Sequence, residues 1–525
     1  LKVGDNLEVF KRFPDYLKGG HTAAKNAFIF CDDAFENWKT FARNWLTHKN
    51  PYTGMTLAED PAVILVNLIN EDTIGNGWNH TPGSLSQRFL AEEYRKFLKK
   101  NPKNDPTYST GNPDFVRFIY NQAYKRSQEM MAFLRNELGA RFMITSANNG
   151  GSMASTWLRD CYDVVDDHIY QDHPMFPQGA WGLPMAFSQS SIISGHGWVP
   201  LLVLKGRIYG KPFYITEYDF CAPNVHRSEE GPIMGAYCAL NDIDGIFRFN
   251  FSSSDWRVTL RGTQMAVFES CQDLVKQISD RIIAALYLRG DVTPAPVKVS
   301  HTVPRDIFSK QQDYGYPPLQ TSGLITQIGA VFDDRPVAGV VDHKKITDKT
   351  AIEKYEKYQK EKIAESVTGE IRMDTKKKLL EISTPRSAVV TLPEKVQAKS
   401  GALKVSRSNM FQTFAAISLD GKALKKSDSI LLLQSTDIAI TGLRFADKDL
   451  RRQESIGKGK LLMRRGTADI ALEVKGKVTV KAVDFQGEIL GEIPSQMKGN
   501  VVTFKADNFK FAKGIAGYHI IPEKK

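Results

Sequence analysis

Cysteine is scarce in this chain: Cys31, Cys161, Cys221, Cys238 and Cys271 are the only five among 525 residues. The number is odd, and no two have CxxC or zinc-finger spacing. A disulfide framework and a cysteine-built metal site are therefore not expected, and thiols in apolar or aromatic surroundings read as buried. Uninterrupted apolar runs are also missing. None approaches the ~18 residues a membrane helix needs, so no membrane span is expected. No repeat with a period of about 20–50 residues is present, which excludes a solenoid or propeller array. Leu1 heads the sequence where a natural start would have Met, and no charged-then-apolar leader follows it. That start reads as processed, cut or otherwise not the natural one.

What is present is the composition of an ordinary folded protein: 42% hydrophobic, 25% charged and 10% aromatic residues. This excludes a disordered chain, a collagen and a small disulfide scaffold. Lysine and arginine number 70 against 59 acidic residues, a net charge of +11. Many lysines fall in the stretch from Lys344 to Lys362, where charges of both signs alternate, and in the last third generally. That pattern is a solvated helix face rather than a nucleic-acid footprint, and no nucleic-acid partner is expected.

Residues 1–290 alternate apolar strands with amphipathic helices. Val63 to Ile69 reads as a buried strand, and Leu85 to Lys99 as a helix. Asn112 to Leu138 reads as a longer helix opened by an Asn-Pro cap. Strands follow at Arg141–Thr145, Val164–Tyr170, Phe213–Thr216 and Gly245–Phe249, then a helix from Gln264 to Leu288. Such alternation implies βα units, hence a doubly wound sheet or a (β/α) barrel. Pro294, Pro296 and Pro304 open a segment, 291–365, that reads as a linker with a charged helix. Residues 366–525 carry short alternating strands and read as one or more β-sandwich modules.

Two carboxylates stand out because each closes a strand of the first part. Glu71 follows Leu65-Val66-Asn67-Leu68-Ile69-Asn70, and Glu217 follows Phe213-Tyr214-Ile215-Thr216. In a (β/α) barrel the C-terminal strand ends build the active site. Two glutamates facing each other there are the apparatus of glycoside hydrolysis: one protonates the leaving oxygen, the other attacks the anomeric carbon. Asn148 and Asn149, after the Arg141–Thr145 strand, are candidates for the cleft lining. Trp78, Trp157, Trp181, Trp198 and Trp256 lie in or near strand-end loops and are candidate stacking surfaces for sugars. His226 and Arg227 lie on the loop after Glu217, and Arg12 follows an apolar run near the start.

The order Asn70-Glu71 strand, His168-Ile169-Tyr170 strand, Thr216-Glu217-Tyr218 strand resembles the catalytic framework of the clan A retaining glycosidases, the β-galactosidase-like and cellulase-like enzymes. The resemblance covers most of residues 1–260. It implies a (β/α)8 TIM barrel in which the strand before Glu71 is the fourth and the one ending in Glu217 the seventh. It implies Glu71 as acid/base and Glu217 as nucleophile. Asn70 would bind the sugar 2-hydroxyl, Tyr170 would donate to Glu217 and His168 would bind a sugar hydroxyl, with Asn148, Trp181 and Arg12 as further substrate contacts. No metal or organic cofactor is implied. The partner is a carbohydrate, a homo-oligomer is compatible, and export to the periplasm or the exterior follows by analogy. The eighth strand departs from the pattern, with Phe247-Arg248-Phe249 where clan members often place a tryptophan. A glycan-binding protein that keeps the barrel without hydrolysis is the alternative.

If Glu71 ends the fourth strand, three βα units should precede it. At about 30 residues per βαβ unit that needs about 90 residues, more than the chain has ahead of Val63. Residues 5–10 then read as the third strand and Ala34–His48 as its helix. The expectation is a barrel lacking its first two βα units here and a natural protein extending upstream.

Overall fold

The computed structural model describes residues 20–72, 74, 85–109, 111–255, 265–309 and 314–523. The expected third strand at 5–10, Arg12, Trp78 and Trp256 lie outside these residues.

Two helices open the described chain, α1 (Gly20–Phe30) and α2 (Asp32–Leu46). In α2, Ala34, Phe35, Trp38, Ala42 and Leu46 are buried at helical spacing, and the acidic Asp32 and Asp33 occupy the positive end of the helix dipole. Trp38 Nε1 donates to the Leu68 carbonyl at 3.1 Å, which ties α2 to the chain just before Glu71.

The first strand, β1 (Leu65–Asn67), leads through α3 (Leu85–Lys100) and α4 (Pro113–Ala132) to β2 (Met143–Thr145). The Asn112 side chain caps α4 by accepting the Asp114 N–H at 2.9 Å, with Pro113 in the first turn, where its missing N–H costs nothing. After α5 (Met153–Arg159) come β3 (Val165–Gln171), the short β4 (Met185–Ala186), α6 (Trp198–Leu201), β5 (Phe213–Phe220), α7 (Glu230–Leu240), β6 (Gly245–Arg248) and α8 (Leu274–Ile283). β1 pairs β2 in parallel, and β3, β5 and β6 form a parallel sheet in that order. The two sets meet where the Asp163 N–H donates to the Ile144 carbonyl at 3.0 Å and Thr145 Oγ1 donates to Asp166 Oδ1 at 2.5 Å. The architecture is thus mixed α/β with strand–helix alternation, and no closed ring of strands is formed among the described residues.

Three expectations need correction. The Val63–Ile69 run is strand only over Leu65–Asn67, whose side chains are half-buried, with Ile64 65% exposed. Among the described residues β1 has one strand neighbour, β2. The helix expected from Gln264 starts at Leu274, because Asp273 caps it by accepting the Val275 N–H at 3.0 Å. The segment read as a linker is folded. Its strands β7 (Lys298–Val303), β8 (Gln327–Phe332) and β9 (Val340–Asp342) form a parallel sheet, and Ile208 bridges onto Ala330. The prolines there bound a strand rather than mark an unstructured stretch. The charged helix is α9 (Lys349–Glu361).

The C-terminal region is β-rich. A nine-stranded antiparallel sheet orders Ile363–Glu365, Ile371–Asp374, Leu379–Ser383, Ser387–Leu392, Gln412–Ser418, Ile430–Ser435, Gly517–Pro522, Val478–Val483 and Ile489–Glu492. A five-stranded sheet orders Ala398–Ser400, Leu403–Ser406, Thr467–Glu473, Val501–Asp507 and Ser495–Lys498. One face of the larger sheet, with Val390, Phe414, Leu432 and Val480, shares a buried cluster with Leu403, Ile470 and Val502 of the smaller. Its other face, with Ile382, Val389 and Ala415, joins the core of the α/β part. Burial on both faces explains why Ser387–Leu392 is buried at every position.

Candidate active site

β3 and β5 carry most of the site, and their pairing decides which side chains meet. The register runs evenly from Val165 beside Phe213 to Asp167 beside Ile215. It then shifts, so that His168 stands beside Glu217 and Tyr170 beside Asp219. Thr216 is the extra residue. A shift of one residue turns everything beyond it to the opposite face. Here it brings Glu217 to the face that Asp166, His168 and Tyr170 share at alternate positions of β3. Thr216 Oγ1 donates to Asp166 Oδ2 at 2.6 Å and pins the bulge.

Glu71 arrives from β1 in a strained conformation. Its φ of 49° lies in the left-handed region, unusual for any residue that carries a Cβ. The surroundings over-determine it: the Glu71 N–H donates to Asn148 Oδ1 at 2.8 Å, and its carbonyl accepts from Lys25 Nζ at 2.9 Å. The next residue, Asp72, is anchored by the Ala147 N–H at 2.9 Å and the Ile74 N–H at 3.1 Å. Ala147 is itself left-handed, at φ 59°. The buried Arg159 holds that loop, donating to the carbonyls of Ala147 at 2.8 Å and Gly150 at 2.7 Å while pairing with Asp167 at 2.9 Å.

Glu71, His168 and Glu217 converge. His168 Nδ1 lies 3.0 Å from Glu71 Oε1 and 3.4 Å from Glu217 Oε2. One oxygen of each carboxylate and the imidazole nitrogen all lie within 4.8 Å of one another. The tautomer follows from Asn148. Its Oδ1 is committed to the Glu71 N–H, so its Nδ2 faces His168 Nε2 at 2.9 Å and must be the donor there. Nε2 then accepts, and the ring proton sits on Nδ1, directed at the two carboxylates. Asn148 Nδ2 also reaches Asp166 Oδ2 at 3.1 Å and Asn70 Oδ1 at 3.3 Å. Tyr170 donates its hydroxyl to Glu217 Oε2.

The electrostatics follow from these contacts. The His168 hydrogen bond holds the Glu71 carboxyl below its ordinary pKa, partial burial opposes it, and the Lys25 ammonium adds to the lowering. Burial, reinforced by the Glu217 carboxylate, pushes the Tyr170 hydroxyl far above its usual range, so it stays a donor. Glu71, His168 and Glu217 are also the one set of three or more ligand-type side chains, among the described residues, close enough to share a metal ion. In the hydrogen-bond pattern above, however, His168 offers the carboxylates a proton at Nδ1 rather than a lone pair to a metal.

Two surfaces adjoin the carboxylates. Tyr170, Phe249, Phe268, His173, Trp181 and Phe176 form an aromatic arc with ring centroids 4.8–6.2 Å apart between neighbours. Trp181 is 61% exposed. A cavity of about 470 Å³, lined also by Tyr170 and His173 of the arc, reaches Glu71, His168, Asn149 and Trp198.

Of the residues expected from sequence, Glu71, Asn148, His168, Tyr170 and Glu217 come together. Asn70 is exposed and joins through Asn148. Trp181 stands on the aromatic arc, and Asn149 and Trp198 line the cavity. Arg12 lies outside the described residues. Trp157 packs against Phe308 and Tyr124 in the core. Arg227 is buried in an ion pair with Asp273 at 3.1 Å, so it is not a site residue, and the half-buried His226 packs against Phe411. Thr216 was read only as a flank of Glu217, and Asp166, His173, Phe268 and Lys205 were not read as site residues.

The chain matches no family model, no curated protein and no solved structure. Among the described residues no helix is long and apolar enough to cross a membrane.

Proposed function

We propose that the chain is a retaining β-glycoside hydrolase that cleaves a poly- or oligosaccharide by double displacement. In this reading the two parallel strand sets are parts of a (β/α)8 wall, and the C-terminal sheets are an appended β-sandwich. The observation that carries the reading is the close approach of Glu71 and Glu217, with carboxylate oxygens within 4.8 Å. Retaining enzymes hold the two carboxyl groups about 5–5.5 Å apart, whereas inverting enzymes leave about 6.5–9.5 Å for a water.

Glu71, as the acid, protonates the glycosidic oxygen while Glu217 attacks the anomeric carbon and the aglycone departs. Glu71, now a carboxylate, takes a proton from water. The resulting oxygen nucleophile displaces Glu217 and releases the sugar with its configuration kept. Tyr170 donates its hydroxyl to Glu217 and aims it. His168 divides one proton between the two carboxylates. As Glu217 becomes an ester it stops competing for that proton, which then supports Glu71 as the base. Substrate covering the site removes water from Glu71 and raises its pKa toward the acid role.

One observation favours a second reading, glycan binding without hydrolysis: in the free protein His168 holds Glu71 toward the charged form, which is the wrong one for an acid. A panel of aryl glycosides, with the first-formed product anomer followed by NMR, tests both. The hydrolase reading expects hydrolysis with retained configuration. Inverted product contradicts the double displacement, and binding without turnover supports the second reading. A polysaccharide-degrading role implies export, and we include that in the proposal.

A further inference from the structure

The cavity beside Glu71 and His168 also contains a lysine with no acidic partner. Lys205 lies on the 3-10 turn Val203–Gly206, just after α6, and lines the cavity together with Trp198 and Tyr316. The turn is held firmly. The Lys205 carbonyl accepts from His301 Nε2 at 2.8 Å, and Gly206 presses so closely on its neighbours that an added Cβ would lie 2.7 Å from Arg159 Nη1 and 2.8 Å from the Tyr316 hydroxyl. Tyr316 is fixed in turn by Thr156 Oγ1 at 2.7 Å.

The two carboxylates of the cavity are already engaged, Glu71 by His168 at 3.0 Å and Asp167 by Arg159 at 2.9 Å. Among the described residues, Lys205 Nζ has no hydrogen-bond acceptor and no ion pair. Its one contact is with the face of Tyr316, 5.4 Å from the ring centroid. Partial burial with no compensating anion holds its pKa below the ordinary lysine value. A half-buried ammonium is costly unless something pairs with it, and a cation–π contact at that distance offsets only part of the cost.

We infer that Lys205 recognises an anionic substituent on the glycan, a carboxylate or a sulfate ester, so that the substrate carries an acidic sugar in the cavity adjoining Glu71. The inference rests on the hydrolase reading for its substrate but not for its binding chemistry. Trp198 and Tyr316 supply apolar surface for the sugar ring, and Lys205 supplies the charge. As a point-charge donor rather than a planar fork, a lysine accepts either anion.

The test compares wild type, Lys205→Met and Lys205→Arg on two matched substrate pairs. One is a uronate oligosaccharide and its carboxyl-reduced form; the other is a sulfated oligosaccharide and its desulfated form. The expected result is that wild type prefers the anionic member of one pair. Lys205→Met should then lower the ratio of kcat/KM for the anionic over the neutral member by tenfold or more, mainly through KM, and Lys205→Arg should keep most of it. Added salt should raise the wild-type KM for the anionic member alone. The pair that responds identifies the anion. An unchanged ratio in Lys205→Met, or a wild type that prefers the neutral member of both pairs, overturns the proposal. Calorimetric binding of the same oligosaccharides to Glu217→Gln separates it from the function. Lys205-dependent, salt-sensitive binding without turnover in the wild type keeps this proposal and sinks the hydrolase. Turnover with no Lys205 effect does the reverse.

Discussion

His168 stands beside Glu217, 3.4 Å from Nδ1 to Oε2, because Thr216 is bulged out of the pairing between β3 and β5. With an unbroken register His168 would face Thr216, and Glu217 would point to the opposite side of the sheet. The bulge is pinned by the Thr216 hydroxyl on Asp166, and Asp166 is also bound by Thr145 and Asn148. A single inserted residue, with a buried carboxylate to hold it, thus brings the two glutamates onto one side.

The first prediction concerns pH. The His168 hydrogen bond stabilises the charged form of Glu71 and lowers its pKa. Replacing His168 by Ala removes that bond, and the Glu71 pKa rises. The acid form then persists to higher pH, so the alkaline limb of the kcat/KM profile moves up even as the rate falls. An alkaline limb that stays put or moves down would show that Glu71 is not the group titrating there.

Tyr170→Phe removes the hydroxyl on Glu217 and leaves the ring among Phe249, Phe268 and His173. Loss of one donor aimed at a reacting oxygen costs roughly 10²–10³ in rate. Steady-state kinetics should register a fall of about that size with the thermal unfolding midpoint nearly unchanged.

Trp181→Ala tests the aromatic arc. A well-placed aromatic contact contributes about 0.5–1.5 kcal/mol, which corresponds to a KM increase of roughly twofold to thirteenfold. Titration with longer oligosaccharides should show that increase with kcat little altered. An unchanged KM across chain lengths places the sugar elsewhere.

Two residues beyond Glu217 on β5, Asp219 belongs to a charge cluster that is buried except at Asp280. Lys276 Nζ binds Asp219, and Arg248 binds Asp219 at 3.0 Å, Glu230 at 2.5 Å and Asp280 at 2.6 Å. It joins β5, β6, α7 and α8. Burial pushes the Asp219 carboxyl up to about 6 and that of Glu230 to about 7, even against these cations. Removing one partner of a fully buried pair leaves an uncompensated charge and costs about 3–5 kcal/mol. Lys276→Met should therefore lower the unfolding free energy obtained from a denaturant titration by that amount, and Lys276→Met with Asp219→Asn should recover part of it.

The parts of this arrangement legible in the sequence are those that one strand or helix decides alone. Phe213–Phe220 is dense in apolar and aromatic residues, and Asn112-Pro113 announces α4. The glutamates stand out because each follows an apolar run, although β5 continues past Glu217 to Phe220 and Glu71 lies beyond the end of β1 at Asn67. What escaped depends on partners. The Thr216 bulge belongs to a pair of strands, not to either one. The left-handed Glu71 and Ala147 have no glycine to betray them, being held by Asn148, Lys25 and Arg159 from elsewhere. β7 to β9 are short and flanked by prolines, so they passed for a linker. Lys205 and Phe268 lie in segments with no strand signal and reach the site only through the fold.

The most direct test of the account is covalent trapping. The protein is incubated with an activated 2-fluoro glycoside of a sugar it hydrolyses, then digested and mapped by mass spectrometry. The account predicts time-dependent inactivation with one sugar attached, on Glu217, abolished in Glu217→Gln. A label on Glu71 or elsewhere, or turnover that proceeds with no label at all, would contradict it.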